Sequence, residues 1–264
     1  MPQAHAITRF FTLTFAFTFC LQVPGVLARK GLMPGDPAMY LPFAMLGIFG
    51  PLVAASYLTW QERGRAGLAE LYGSLVNFRV SLRWVLLGFV LPPLLLSGIL
   101  YLLNAAGRQG PWHYVPAVPQ LIAGIVISIA EETGWRGYAL PRLSAKYGAV
   151  FGSGILGVLW MLWHIPMFVA AGVATSLYLV MLLLLVGGSL FFTFLYRKTQ
   201  GSLFVMVLAH LATHLNNSHA ALPADALPAV VHAVVYAALG FACMRGAAFE
   251  RGARQPAGER LARV

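Results

Sequence analysis

Eight stretches of this sequence are each long and apolar enough to cross a lipid bilayer as a helix. A spanning helix needs about 20 mostly apolar residues, because the hydrocarbon core of a bilayer is roughly 30 Å thick. Inside a membrane a chain must satisfy its own backbone hydrogen bonds, which a helix does within one segment. We therefore predict an all-α polytopic membrane protein in which residues 1–264 form a single integral membrane domain. The eight predicted spans cover residues 7–27, 38–60, 84–104, 117–135, 149–171, 174–196, 200–217 and 225–245.

Composition and charge support a membrane protein and argue against a nucleic-acid partner. Hydrophobic residues make up 59% of the chain and charged residues 10%, whereas an ordinary soluble domain has about 25% charged residues. The formal net charge is +10, but the basic residues alternate between loops instead of forming one binding surface. With the amino terminus in the cytoplasm, fifteen Lys and Arg residues lie on the cytoplasmic side and three on the other. This follows the positive-inside rule and predicts that both termini are cytoplasmic.

The first apolar stretch has an alternative interpretation as a cleaved secretory signal. It follows a short segment with one Arg and ends near Ala28, as a signal sequence would. We favour a retained span, because removing it would break the alternation of charge between the two sides. Arg29 and Lys30, which come directly after the stretch, fit a loop equally well.

Two adjacent glutamates, Glu131 and Glu132, end the apolar run that begins at Leu121. The chain has only eight acidic residues, and a charge inside a bilayer costs about 2.5 to 3.5 kcal/mol on insertion scales, so such residues indicate a functional site. On a helix Glu132 and Arg136 share a face and can form an ion pair. Glu131 points about 100° away and needs another use. The alternative is that both glutamates only pair with arginines at the membrane boundary.

Three histidines near the ends of predicted spans are candidate partners for these glutamates. His164 ends an apolar run and precedes Ile165-Pro166, while His210 and His214 are four residues apart and share a helix face. A lone histidine in a membrane helix is more often hydrogen-bonded to a neighbouring helix than catalytic. Three histidines and a carboxylate on three predicted spans can converge only if the helices enclose a wet interior. We therefore predict a polar catalytic cavity suited to hydrolysis.

Two chemistries are compatible with this set of residues. In the first, His164, His210 and Glu131 hold Zn²⁺, which lowers the pKa of its bound water to about 7 and supplies a hydroxide. In the second, Glu131 is a general base, His164 helps to hold the water, and His210 with His214 donates to the developing oxyanion. Both alternatives remain open at the level of sequence.

The same residues carry a resemblance to a known family of membrane proteins. A Glu-Glu-x-x-x-Arg signature begins at Glu131, and a second motif has an aromatic residue four positions before His164. The stretch that ends at His214 is similar to a closing motif in which a histidine is followed four residues later by Asn. In these motifs and their order the chain resembles the CAAX protease and bacteriocin-processing family of intramembrane proteases. The resemblance covers residues 117–217, which it implies are the catalytic core.

The resemblance implies an endopeptidase that cleaves membrane-anchored proteins or peptides near their carboxyl termini, whether prenylated or not. Its partners would be the lipid bilayer and such a substrate, and its location the bacterial inner membrane. The first glutamate and the first histidine would position the attacking water, and the last two histidines would stabilise the oxyanion. The second glutamate and the arginine would organise the site. The six candidate catalytic residues are Glu131, Glu132, Arg136, His164, His210 and His214.

The chain departs from the family pattern at two positions. Trp160 stands where the eukaryotic enzymes have Phe, which keeps an aromatic wall. His214 stands where Asn is usual; a histidine also donates a hydrogen bond, but it is larger and can ligate a metal. Asn216 or Asn217 could replace it as the donor only if the helix were locally irregular.

Two further expectations complete the sequence analysis. His232 lies inside the last predicted span without a motif, and we expect it to lie outside the cavity. The competing hypothesis for function is a non-catalytic membrane scaffold or bacteriocin-immunity protein that retains the polar core. A scaffold would survive neutralisation of Glu131, whereas a protease would not.

Overall fold

A computed structural model describes residues 3–108, 118–215 and 226–249, and every regular element within these ranges is helical. Three short 3₁₀ turns, at Pro37–Tyr40, Ser74–Val76 and Thr175–Leu177, connect helices, and a π-helical turn at Trp135–Ala139 joins α5 to α6. The predicted all-α fold is confirmed. The α-helices are α1 (Gln3–Arg29), α2 (Leu41–Gly47), α3 (Gly50–Gly73), α4 (Leu82–Ala105), α5 (Val118–Gly134), α6 (Leu140–Tyr147), α7 (Ala149–Trp163), α8 (Ile165–Ala170), α9 (Tyr178–Lys198), α10 (Leu203–His214) and α11 (Leu227–Phe249).

The helices confirm an integral membrane protein that crosses the bilayer several times. Within the described ranges six helical stretches are long and apolar enough to span. The predicted spans 117–135 and 200–217 correspond to α5 and α10, which have 17 and 12 described helical residues. Eight is therefore an approximate count, made of six long stretches and two shorter helices. The long stretches are His5–Arg29, Pro37–Val76, Leu82–Ala105, Ala149–Ala170, Thr175–Lys198 and Leu227–Arg245.

Glycines bring α9 into close contact with α11. A Cβ atom added to Gly187 would lie 2.5 Å from Cα of Ala237, and one added to Gly240 would lie 2.4 Å from the Gly187 carbonyl oxygen. Small residues of this kind let membrane helices approach until their backbones touch. The position of α11 beside the helices that carry the candidate site is thus set by backbone contact.

Two further close contacts position α5, the helix that carries both glutamates. A Cβ on Gly134 would lie 2.4 Å from the Cβ of Pro51 in α3, and a Cβ on Gly124 would lie 2.9 Å from the Leu211 side chain in α10. The main hydrophobic core surrounds this region and includes Trp135. Because α5 is held between α3 and α10, Glu132 lies next to His210 of α10.

The helix backbone is irregular directly after the two glutamates. The Leu140 N–H donates to the Trp135 carbonyl, a spacing of five residues that makes one turn π-helical. Such turns are rare in proteins and are frequent at functional sites. Glu62 of α3 accepts hydrogen bonds from the hydroxyl of Tyr138, within the turn, at 2.6 Å and from Nη2 of Arg142, beyond it, at 2.6 Å. Burial raises the pKa of Tyr138 above its ordinary value, so the phenol stays protonated and acts as the donor.

Candidate active site

A cavity of about 490 Å³ lies within the helix bundle. Its wall is mostly apolar and carries a small number of polar side chains, as is usual for sites that bind organic ligands. Four of the six predicted catalytic residues line it, and Glu132 and Arg136 lie behind the wall. The polar side chains on the wall are Gln22, Glu131, His164, His210, Thr213, His214, His232 and Tyr236.

Glu131 is 3% exposed and is held by two indole groups. Its Oε2 accepts a hydrogen bond from Trp160 Nε1 at 2.7 Å and one from Trp135 Nε1 at 3.2 Å. Hydrogen bonds to a carboxylate are stronger than those between neutral groups, and they reduce the cost of placing a charged side chain away from bulk water. The two indoles therefore fix the orientation of Glu131 at the cavity wall.

Trp160 brings three of the predicted catalytic residues together. Besides its bond to Glu131, its ring centroid lies 5.8 Å from that of His164 and 5.6 Å from that of His210. One indole thus contacts a carboxylate from α5, a histidine at the end of α7 and a histidine from α10. The convergence predicted from the separate motifs is present in the structure.

His164 occupies the junction between α7 and α8 and lines the cavity. Its Nδ1 lies 2.8 Å from the Trp160 carbonyl oxygen, which can only accept, so Nδ1 carries the hydrogen. In the neutral ring Nε2 is then the free acceptor. The ring stacks on Phe168 at 5.5 Å and meets Trp163 edge to face at 4.9 Å. This tautomer can accept a hydrogen bond from a water molecule in the cavity.

Glu132 is fully buried and links an arginine to a histidine. Its Oε1 accepts from Arg136 Nη1 at 2.7 Å and lies 2.7 Å from His210 Nδ1. The ion pair predicted from the four-residue spacing is therefore present. A carboxylate acceptor requires a proton on His210 Nδ1, and Nε2 is a second donor only when the ring is doubly protonated.

Arg136 is fully buried between two aromatic rings. Its guanidinium carbon lies 4.5 Å from the centroid of Trp160 and 4.7 Å from that of Phe192. The negative faces of these rings attract the cation, and Glu132 supplies the opposite charge. Because Arg136 lies behind the cavity wall, its effect on the chemistry passes through Trp160 and Glu132.

His214 follows His210 by one helical turn, and both rings line the cavity. The two rings are nearly parallel, with centroids 5.1 Å apart and an interplanar angle of 15°. The shared helix face predicted from their spacing is present. Asn216 and Asn217, the other candidate donors, lie outside the described residues.

The predicted zinc ligands do not form a metal site as they are arranged. Within residues 3–108, 118–215 and 226–249 no group of three or more His, Cys, Asp and Glu side chains is placed to hold a metal ion. Oε2 of Glu131 accepts from two indoles, and the Nδ1 atoms of His164 and His210 are engaged with Trp160 and Glu132. We therefore derive no step of the chemistry through zinc.

Sequence analysis missed several residues that shape the site. His232 lines the cavity, so the expectation that it lies outside was wrong, and Tyr236 one turn later lines it as well. Their four-residue spacing places both on one face of α11, which is the signal that could have revealed them. Trp160 and Trp135 were not identified as donors to Glu131, although each indole carries an N–H that a buried carboxylate can accept.

Comparison with known proteins supports the motifs. Residues 112–216 match the family model described as type II CAAX prenyl endopeptidase, Rce1-like. The family resemblance is confirmed. The chain is also similar to "CAAX prenyl protease 2" of Methanococcus maripaludis, with 25% identity over 167 residues that cover 60% of this chain. The match spans 61% of the length of that relative. All six predicted catalytic residues fall inside the matched segment, and α11 falls outside it.

Proposed function

We propose that this protein is an intramembrane endopeptidase that hydrolyses peptide bonds near the carboxyl termini of membrane-anchored proteins or peptides. The observation that carries this proposal is that Glu131, His164 and His210 meet around Trp160 at the wall of one cavity. A carboxylate, a neutral imidazole and an imidazole backed by a second carboxylate supply a base, a water acceptor and an oxyanion donor. These are the groups that water-mediated hydrolysis of an amide requires.

The reaction starts with a water molecule between Glu131 and Nε2 of His164. Glu131 removes a proton as the water oxygen forms a bond to the carbonyl carbon of the peptide. The negative charge that develops on the carbonyl oxygen is stabilised by Nε2–H of His210, in its doubly protonated form beside Glu132, and by His214. The tetrahedral intermediate then collapses and the C–N bond breaks. The proton held by Glu131 passes to the leaving nitrogen, which gives a carboxylic acid and an amine.

The apolar part of the cavity supports a substrate with a lipid anchor. Its wall includes aliphatic and thioether side chains that would pack against an isoprenoid or acyl chain. Binding would be favourable because water is excluded from the apolar surfaces of the wall and of that chain. The name of the archaeal relative, "CAAX prenyl protease 2", favours a prenyl group among such anchors. The aliphatic and thioether residues of this wall include Met45, Leu96, Leu100, Met167, Met181, Leu184 and Leu185.

We further propose that catalysis depends on the glutamate and the histidines, that the protein resides in the bacterial inner membrane, and that both termini are cytoplasmic. The glutamate mechanism is supported by the two indole N–H groups that orient Glu131 at the cavity wall and by the free acceptor Nε2 of His164. The orientation is supported by the distribution of Lys and Arg. Reporter fusions at each terminus, one active only in the cytoplasm and one only outside it, test the orientation directly.

The decisive experiment compares wild type with Glu131→Gln in nanodiscs. Both are incubated with farnesylated, geranylgeranylated and unmodified peptides, and products are identified by mass spectrometry. We expect wild type to cleave and Glu131→Gln to lose a factor of about 10² to 10⁴ in rate, the contribution of a general base. Glu70→Gln is the matched control, because Glu70 is a half-exposed surface carboxylate paired with Arg63.

The outcomes separate the proposal from its alternatives. Cleavage that persists in Glu131→Gln contradicts the assignment of the base. Activity that a strong chelator abolishes and zinc restores contradicts the metal-independent chemistry. A folded wild-type protein that cleaves none of the peptides favours the non-catalytic scaffold or immunity protein.

A further inference from the structure

A second set of polar side chains lines the cavity on α11, outside the segment that matches the family. It consists of His232 and Tyr236, whose ring centroids lie 5.5 Å apart. Neither residue takes part in the hydrolytic steps described above. Their position is set by the backbone contacts between α9 and α11, so the pair forms a fixed part of the wall.

The Tyr236 hydroxyl is buried without a hydrogen-bond acceptor in the part of the chain that the structure describes. The side chain is 4% exposed and lines the cavity. Its ring is held edge to face by Phe191 at 5.9 Å, and Gly188 leaves room for it on α9. A buried hydroxyl that makes no hydrogen bond destabilises a protein, and a phenylalanine would pack here without that cost. Because the Tyr236 residue lines the cavity, a group that enters the cavity can supply the missing acceptor.

The surroundings of the hydroxyl determine which chemical group suits it. Tyr236 lies within electrostatic reach of Arg136, whose Nε and Nη2 atoms also lack a partner among the described residues. A positive charge behind the hydroxyl favours an acceptor and disfavours a cationic ligand. The positive charges of Arg136 and of the doubly protonated His210 in the proposed mechanism are balanced by Glu132 and Glu131. The wall then carries no net positive charge, so a neutral acceptor is preferred over a carboxylate.

We propose that the Tyr236 hydroxyl, with His232 beside it, binds a backbone carbonyl of the substrate peptide and positions the chain for attack. The inference rests on the proposed endopeptidase function and deepens it by naming a substrate-binding group. A peptide bond is the neutral acceptor that every substrate of an endopeptidase carries. Because Tyr236 and Glu131 line the same cavity, a chain held at Tyr236 is presented to the base in a restricted orientation, which is a large part of catalysis.

The experiment measures binding separately from cleavage. Glu131→Gln protein and Glu131→Gln/Tyr236→Phe protein are placed in nanodiscs and titrated with a fluorescent farnesylated peptide that ends in a CAAX sequence. Loss of one hydrogen bond from a buried donor is expected to raise Kd about three- to tenfold. Tyr101→Phe in the same background is the matched control, because Tyr101 is 73% exposed on α4, and its Kd should not change.

A second series of peptides identifies the acceptor. In each peptide one backbone carbonyl is replaced by a methylene group. One replacement should weaken binding to the Tyr236-containing protein by the same factor as Tyr236→Phe and should have no further effect in the Tyr236→Phe protein. Equal losses in both proteins at every position, or an unchanged Kd in Tyr236→Phe, overturn the inference.

These outcomes are distinct from failure of the proposed function. If wild type cleaves peptides and Tyr236→Phe binds and cleaves them with unchanged KM and kcat, the inference fails and the function stands. If wild type cleaves nothing but binds the peptide through Tyr236, the function fails and the binding site stands. If neither the farnesylated peptide nor any peptide of the cleavage series binds, and none is cleaved, both fail. Thermal unfolding of Tyr236→Phe checks that the variant is folded, and we expect its melting temperature to be equal to or higher than that of wild type.

Discussion

Trp160 donates its indole N–H to Oε2 of Glu131 across 2.7 Å, from α7 to α5. This contact connects two of the sequence motifs, the acidic pair and the aromatic residue four positions before His164. The same ring covers the guanidinium of Arg136. Trp160 thus orients the proposed base on one side and shields a buried cation on the other.

Replacing Trp160 with Phe separates these two tasks. The variant keeps an aromatic ring over Arg136 but removes the donor to Glu131. We expect kcat to fall about three- to tenfold with little change in KM, since one hydrogen bond to the base is lost. Trp60→Phe, at an indole that is 56% exposed, controls for the substitution itself. An unchanged kcat would mean that Trp135 alone orients the carboxylate.

Replacing Arg136 with Lys tests whether the shape of the cation matters. A lysine keeps the charge but loses the planar group that lies against Trp160 and Phe192. We expect a loss of about 1 to 3 kcal/mol in stability, measured by thermal unfolding in detergent, and a fall in activity. Arg63→Lys, at a half-exposed ion pair with Glu70, should change neither. Full stability and activity in Arg136→Lys would show that charge alone suffices.

Replacing His214 with Asn restores the residue that is usual in the family. Asn retains a hydrogen-bond donor, so we expect kcat within about threefold of wild type, whereas His214→Ala should lose roughly 10² in rate. Steady-state kinetics on the cleaved peptide measures both. If Ala and Asn behave alike, position 214 does not stabilise the oxyanion.

Replacing Gly187 with Val tests the backbone contact that positions α11. The new side chain would clash with α11, because a Cβ atom added to Gly187 would lie 2.5 Å from Cα of Ala237. We expect a large drop in thermal stability, above the 1 to 3 kcal/mol that is typical of an overpacked core. Gly98→Val is the control, because nothing lies within 4 Å of its Cβ position. Equal stability of the two variants would contradict the contact.

Much of the fold could be predicted from sequence because hydropathy alone determines where a membrane helix lies. The predicted span 84–104 corresponds to Leu82–Ala105 within two residues at each end. The helix that contains most of the predicted span 38–60 is longer than the span, since α3 continues to Gly73 with a change in direction at Gly64, where φ is 58°. An apolar run ends where charged residues begin. A helix continues beyond that point, outside the bilayer, wherever its backbone hydrogen bonds are satisfied.

The candidate site was only partly predictable, for a different physical reason. Spacing along a helix identified the pair Glu132 and Arg136, because residues four apart are neighbours on any helix. The bond between Trp160 and Glu131 joins two helices, and no local pattern encodes it. Tyr236 was missed because its environment is created by the packing of α11 on α9, which depends on contacts distant in sequence.

The π-helical turn at Trp135–Ala139 separates two sets of side chains that point in different directions. Before it, Glu131 lines the cavity and Glu132 contacts the buried His210. Tyr138 within the turn and Arg142 beyond it donate hydrogen bonds to Glu62 on α3. One residue adds about 100° of rotation in a helix, so removing the extra residue of the turn would swing one of these groups off its target. The length of this segment is therefore constrained by the contacts on both sides of the turn.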